Sequence, residues 1–397
     1  METDVYHILI SIALLLFAAK LFGELTSRLQ LPSVLGEIVA GILLGPSLLG
    51  WVQPDVTIQT VSTLGIMLLL FMAGLEIDLT TMRRMGMASL VVAIFGVAVP
   101  MAAGTLIFRA AGESLRSAVF IGGIMTATSI GLTLRSLMDM GKFRTREGTT
   151  VVTAAVIDDV IGIFILTVLV SVVTVGEFPS TLHVLRLLGL MTLFFAAVIS
   201  LGFWGSKWLT RLVSRMWVDE AMVAISICFA IALGWMASSV KVAEITGAFL
   251  AGLVLNPTRE KKAIAERLNT IGYGFFIPLF FTYIGVNMKL GALREAGIMS
   301  ILFLLIAILG KIVGCGLGAR PWFSNRSSLA IGVGMIPRAE VALIMATIGL
   351  QAGAIGNKVF AMTVLMVFVT NLLTPLLLKL AFRRVGERES AEAGRGH

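Results

Sequence analysis

Charge is what this sequence lacks most. Only 14% of its 397 residues are Asp, Glu, Lys or Arg, while 57% are apolar. A soluble domain carries about 25% charged residues. A chain this poor in charge cannot cover a water-facing surface, which argues against a soluble enzyme. The formal net charge of +8 does not restore a nucleic-acid binder, because the basic residues are scattered between apolar runs. Cysteine is almost absent: Cys228 and Cys315 lie in apolar stretches, so no disulfide framework is implied. No zinc-ligand spacing, phosphate-cradling glycine loop or nucleophile triad is present, so neither a cofactor nor a catalytic constellation is expected. Met1-Glu2-Thr3-Asp4 lacks the basic segment of a cleaved leader, so the first apolar run is expected to be retained.

Long apolar runs are abundant. Hydrocarbon about 30 Å thick needs roughly 20 helical residues. Runs of that size fall near 5–25, 31–50, 60–78, 86–108, 117–138, 150–174, 184–206, 219–237, 241–257, 268–288, 296–317, 327–351 and 357–381. The expected fold is therefore an all-α polytopic membrane protein with thirteen transmembrane helices. Residues 1–382 form a single membrane domain, and residues 383–397 a short, disordered, polar tail. Loops after odd-numbered spans, with the tail, hold nineteen Lys and Arg residues against six after even-numbered spans. That bias puts the N-terminus outside and the C-terminus in the cytoplasm.

The chain also repeats itself. Gly36 to Pro46 matches Gly247 to Pro257 at five of eleven positions, at an offset of 211 residues. The same offset lays Gly74 on Gly285, Gly123 on Gly334, and Thr126 to Ser129 on Pro337 to Glu340. It carries span 2 onto span 9, an odd step, so the two halves run oppositely through the membrane. Two inverted repeats are expected, the architecture of secondary transporters, whose sites lie where interrupted helices meet near the midplane.

Ionisable residues inside the membrane are functional candidates, since each costs about 2.5–3.5 kcal/mol at a helix centre. Asp158 and Asp159 stand near the middle of span 6. Adjacent helical residues point about 100° apart, so one carboxylate can face a cavity while the other meets a partner. Lys311 in span 11 is the clearest basic counterpart. Spans 5 and 12 each carry a polar interruption: Thr126 to Ser129 after Gly122-Gly123, and Pro337 to Glu340 after Gly334. The hydroxyls of Thr128 and Ser129, with freed carbonyls, suit a small hard cation. Back-bonding to their own helix is the competing reading. Arg338 and Glu340 are read first as a structural pair that neutralises half-helix dipoles. Glu37, Glu76 and Glu244 rank lower: Glu37 and Glu244 are read as structural charges that pair across the repeat interface or else line a funnel, Glu76 as a second-tier core charge, and Asp78 as interfacial. Lys20 and Arg135 are expected to snorkel to the cytoplasmic interface. His7 and His183 carry no assigned role.

These residues resemble a known family. Leu35-Gly36-Glu37 through Pro46, Phe71 to Asp78, Ala127-Thr128-Ser129, Ile157-Asp158-Asp159 and Pro337-Arg338-Ala339-Glu340-Val341 are similar to the monovalent cation:proton antiporters of the sodium/proton exchanger superfamily. The likeness is to its bacterial sodium/proton and potassium-efflux branch and covers about residues 5–382. It implies crossed discontinuous helices, a transport core of spans 4–6 and 11–13, and a scaffold of the other spans that forms a homodimer. It implies that Asp159 binds the cation or the proton, that Asp158 pairs with Lys311, and that Thr128 and Ser129 are further ligands. The expected cargo is Na+ or Li+, exchanged electrogenically for protons across the cytoplasmic membrane in pH homeostasis. The alternative is K+; a passive channel or an organic-anion symporter is more remote. Potassium-efflux members carry an amide where this chain has Asp158 and continue into a nucleotide-sensing domain, whereas this chain stops at His397. Both points favour the sodium type.

Overall fold

The computed structural model describes residues 2–29, 31–174, 181–213, 220–288, 299–338 and 340–393. All regular structure among them is helical. The helices fall into two compact units.

The first unit comprises Met1–Gly23, Gly36–Ile77 and Pro179–Asn287. It holds most of α1 (Glu2–Arg28) and α2 (Ser33–Leu44), with α3 (Val56–Glu76), α8 (Thr181–Val213), α9 (Ala221–Ser239), α10 (Glu244–Leu255), α11 (Lys261–Ile271) and α12 (Ile277–Val286). A π turn, Gly272–Phe276, joins α11 to α12. Pro278 explains it: without an N–H, proline cannot continue the regular ladder, and the Ile277 N–H bonds to Gly272 O instead.

Glycines set the packing here. A Cβ on Gly74 would strike the Phe249 carbonyl, and one on Gly252 would strike the Phe71 carbonyl, so α3 and α10 meet backbone to backbone. Gly41 and Gly285 do the same for α2 and α12. Adding 211 to Gly41 gives Gly252, and adding it to Gly74 gives Gly285. Gly36 against Phe22 and Gly23 likewise corresponds to Gly247 against Leu233 and Gly234. The offset therefore relates close helix contacts as well as letters.

The second unit comprises Glu24–Leu35, Asp78–Phe178 and Met288–His397. It holds α4 (Leu79–Ala110), α5 (Leu115–Ile124), α6 (Ile130–Asp139), α7 (Arg146–Thr174), α13 (Met299–Ala319), α14 (Asn325–Gly334), α15 (Glu340–Gln351) and α16 (Asn357–Ala393). Gly310, Gly314 and Gly318 repeat every fourth residue on one face of α13. A Cβ on any of them would press on α4, at Pro100, Phe95 or Val91. Small residues at this spacing let two membrane helices approach closely.

Eight helices among the described residues are long and apolar enough to cross a membrane. Spans expected at 31–50 and 241–257 are shorter: α2 and α10 have 12 residues each. Both stop just before a proline, at Gly45-Pro46 and Asn256-Pro257; proline has no N–H to carry the helical ladder onward. The expected spans 5 and 12 are each two half-helices, α5 with α6 and α14 with α15. The helical backbone of α16 continues to Ala393, past the residue-383 start expected for a disordered tail. Arg135 does not snorkel. It is 7% exposed, pairs with Asp139 at 3.2 Å and donates to Ser33 Oγ at 3.0 Å. Hydropathy marks its depth near a helix end but not the acid one turn on. Lys20 is exposed and donates to the Tyr273 carbonyl at 2.6 Å. Asp78 is exposed and caps α4 through Thr80 N–H at 2.9 Å.

Candidate functional site

The second unit brings two helix breaks together. α5 ends at Ile124 and α6 begins at Ile130; α14 ends at Gly334 and α15 begins at Glu340. The Ser129 N–H donates to Pro337 O at 2.8 Å, and the Thr133 hydroxyl donates to Gly334 O at 2.6 Å. The two unwound segments thus cross in direct contact. Each crossing strand leaves carbonyls that its own helix no longer satisfies. The partial negative charge of two helix C-termini also converges there.

Arg338 answers that charge. Its side chain is fully buried. Nη1 donates to the carbonyls of Met335, Ile336 and Pro337 at 3.1, 2.9 and 3.4 Å. Nη2 donates to Met125 O at 2.9 Å and Ala307 O at 3.1 Å. One guanidinium fork therefore ties both breaks to α13, a job its planar spread of donors suits. Neutralisation of half-helix dipoles by Arg338 was the sequence expectation. Among the described residues its hydrogen bonds go to carbonyls; the Glu340 side chain, the other half of the expected pair, lies outside the described residues. Glu340 occupies the first position of α15.

One turn beyond Ala307, Lys311 donates from Nζ to Asp158 Oδ1 at 2.9 Å. The two side chains are 0% and 1% exposed. Taking both charges out of water costs several kcal/mol per ion, and their attraction only partly offsets it. Such a pair is a poor way to stabilise a helix bundle. Gly96 on α4 packs beside the pair: a Cβ there would strike Cys315 Sγ at 2.5 Å and would be in ordinary contact with Lys311 Nζ at 3.5 Å. Asp159, the next residue on α7, is half-buried on a neighbouring face.

Thr128 and Ser129 lie in the first break, both buried. Among the described residues the Thr128 hydroxyl makes only a long contact to Thr126 O, 3.4 Å, and Ser129 caps α6 without a side-chain bond. Neither hydroxyl is committed to a turn of its own helix. Thr126, by contrast, donates to Gly123 O at 2.7 Å. Glu37 is buried on α2 and Glu76 half-buried at the end of α3, both in the first unit. Glu244 is exposed at the start of α10. Sequence reasoning passed over Thr370, whose hydroxyl accepts the Arg338 N–H at 3.3 Å, and its neighbour Asn371. The available signal was a cluster of polar residues before Pro375 in an otherwise apolar run.

The profile of the sodium/hydrogen exchanger family, transmembrane, matches residues 11–384. The Na(+)/H(+)-K(+) antiporter GerN of Bacillus cereus is 35% identical over 378 residues, covering 95% of this chain and 97% of its own. An Na(+)/H(+) antiporter of Enterococcus hirae is 31% identical, covering 94% of this chain and 98% of its own. Among solved structures, the sodium proton antiporter MjNhaP1 of Methanocaldococcus jannaschii aligns with a TM-score of 0.72 at 17% identity, covering 95% of this chain and 97% of the other.

Proposed function

We propose that this chain, which belongs to the sodium/hydrogen exchanger family of monovalent cation/proton antiporters, carries Na+ or Li+ against protons through the crossing described above. The protein is a multi-pass secondary transporter and not an enzyme. The observation that carries the site reading is the fully buried Asp158–Lys311 pair beside two unwound segments.

In this reading Asp159 binds either a proton or a dehydrated cation, never both. Its charged form attracts the metal and protonation expels it. Thr128 and Ser129 add oxygen ligands from the break. Asp158 holds Lys311 charged until the cation arrives, and the ammonium then gives up its proton. Two protons move per cation, so exchange is electrogenic. Arg338 keeps the carbonyl-rich crossing neutral enough for a single positive cargo.

Alternating access moves the site between the two sides of the membrane. Spans 4–6 and 11–13 carry the ion, and the others form a scaffold that dimerises. Thirteen crossings in two inverted repeats are supported by the 211-residue offset and by the glycine contacts it relates. The loop-charge bias places the N-terminus outside and the C-terminus in the cytoplasm, in the cytoplasmic membrane. K+ is the second candidate cargo, favoured by the relative from Bacillus cereus whose name includes it.

Everted vesicles test this. Na+ or Li+ should collapse an imposed proton gradient, K+ less so, and Asp159→Asn should abolish the response. Full activity in that variant would reject the site.

A further inference from the structure

Asn371 on α16 is 1% exposed, and neither polar atom of its carboxamide has a hydrogen-bond partner among the described residues. Its neighbours on the same helix behave otherwise. The hydroxyls of Thr363, Thr370 and Thr374 bond to carbonyls one turn back, at 2.9, 2.7 and 2.6 Å. Four residues after Asn371 stands Pro375, which has no N–H to return to the Asn371 carbonyl. An open amide oxygen and amide nitrogen thus lie in a buried stretch whose helical ladder is interrupted one turn further on. Native structures rarely leave such groups open unless something polar visits them.

The position points the same way. A Cβ on Gly334 would touch Val151 of α7 at 3.0 Å and Leu378 of α16 at 3.6 Å. Asp158 lies seven residues beyond Val151, on the same stripe of α7. Asn371 lies seven residues before Leu378, on the same stripe of α16. Seven residues is two helical turns, about 10 Å. The first step ends at the buried ion pair, and the second ends beside Thr370, which accepts the Arg338 N–H. Both steps lead from Gly334 toward the crossing.

We propose that Asn371 is a ligand on the cation's route through the second unit. Its carboxamide oxygen meets an alkali cation that is bare or partly hydrated. This rests on the cation/proton reading above and adds to it a ligand that does not titrate. Oxygen donors of this kind suit hard cations. A carboxamide offers no proton-accepting charge, so it holds the metal without competing for hydrogen ions.

Calorimetry on the purified full chain, titrated with NaCl, LiCl and KCl across pH, tests the proposal, with thermal unfolding alongside. Asn371→Leu exchanges an unpaired amide for an apolar group of similar size, a change that is neutral or stabilising for a purely structural residue. The variant should unfold at or above the temperature of the unmodified chain. It should bind the preferred cation about tenfold more weakly, with the pH midpoint of proton competition unmoved. Asn371→Asp, nearly the same shape, should bind the cation more tightly at high pH and add a second titrating step; it decides alone if the Leu variant does not assemble. Unchanged affinity in the variants overturns the proposal, as does weaker binding in Asn371→Leu explained by a moved midpoint. An unmodified chain that binds none of the three cations overturns the antiport reading itself, and needs no variant to show it.

Discussion

Lys311 Nζ and Asp158 Oδ1 lie 2.9 Å apart, on side chains that are 0% and 1% exposed. Neither group reaches water, so each charge depends on the other. Removing one partner alone strands a buried charge. Asp158→Asn is expected to destabilise the protein by about 3–5 kcal/mol. The double variant Asp158→Asn with Lys311→Gln should recover much of that loss. Thermal unfolding of the four proteins of this cycle measures the coupling; strictly additive losses would mean the two charges do not depend on each other.

The same lysine carries the voltage sensitivity in the exchange scheme. Lys311→Gln should still move cations but shift exchange toward electroneutral. Transport in proteoliposomes with and without an imposed membrane potential reads this. An unaltered response to voltage would remove Lys311 from the coupling.

Arg338 serves five carbonyls from two helix breaks and α13. A lysine keeps the charge but loses the planar fork. Arg338→Lys should leave buried carbonyls open and lower stability by at least about 2 kcal/mol. Chemical unfolding is the check, and a stability equal to the unmodified chain would contradict the bracing role.

The glycine contacts make a paired prediction. Gly74→Ala drives a methyl onto the Phe249 carbonyl, and overpacking of this kind costs about 1–3 kcal/mol. Gly86→Ala meets nothing within 4 Å and gains helix propensity of about 0.5–1 kcal/mol. Unfolding temperatures should therefore move in opposite directions.

Much of this was legible in the sequence, for physical reasons that differ by residue. The charges at Asp158 and Lys311 stood out because lipid makes every charge expensive. The breaks at residues 125–129 and 335–338 showed through flanking glycines, hydroxyls and Pro337. The short lengths of α2 and α10 were not seen, because hydropathy does not register where an X-Pro step ends a helix in an apolar run. Arg135 was misread because its depth was visible and its partner Asp139 was not. Asn371 was overlooked because a single neutral amide barely lowers the hydropathy of its span.

Asp78 offers a pH test outside the membrane. The Thr81 hydroxyl, then the Thr80 N–H, hold its carboxyl below the usual carboxylate range. Its capping of α4 is thus fully present above the ordinary carboxylate pKa and is lost as pH falls through the lower, folded value. Asp78→Asn should be less stable than the unmodified chain at neutral pH, and the difference should shrink in acid. A gap independent of pH would mean the charge plays no part in the cap.

The most direct measurement is proton release on cation binding. Calorimetry in buffers of different ionisation enthalpy should show protons leaving as Na+ or Li+ binds, with affinity falling as pH drops below the pKa of the site. Asp159→Asn should lose both the binding and the release. Tight binding that ignores pH and liberates no proton would contradict competition at a shared carboxylate.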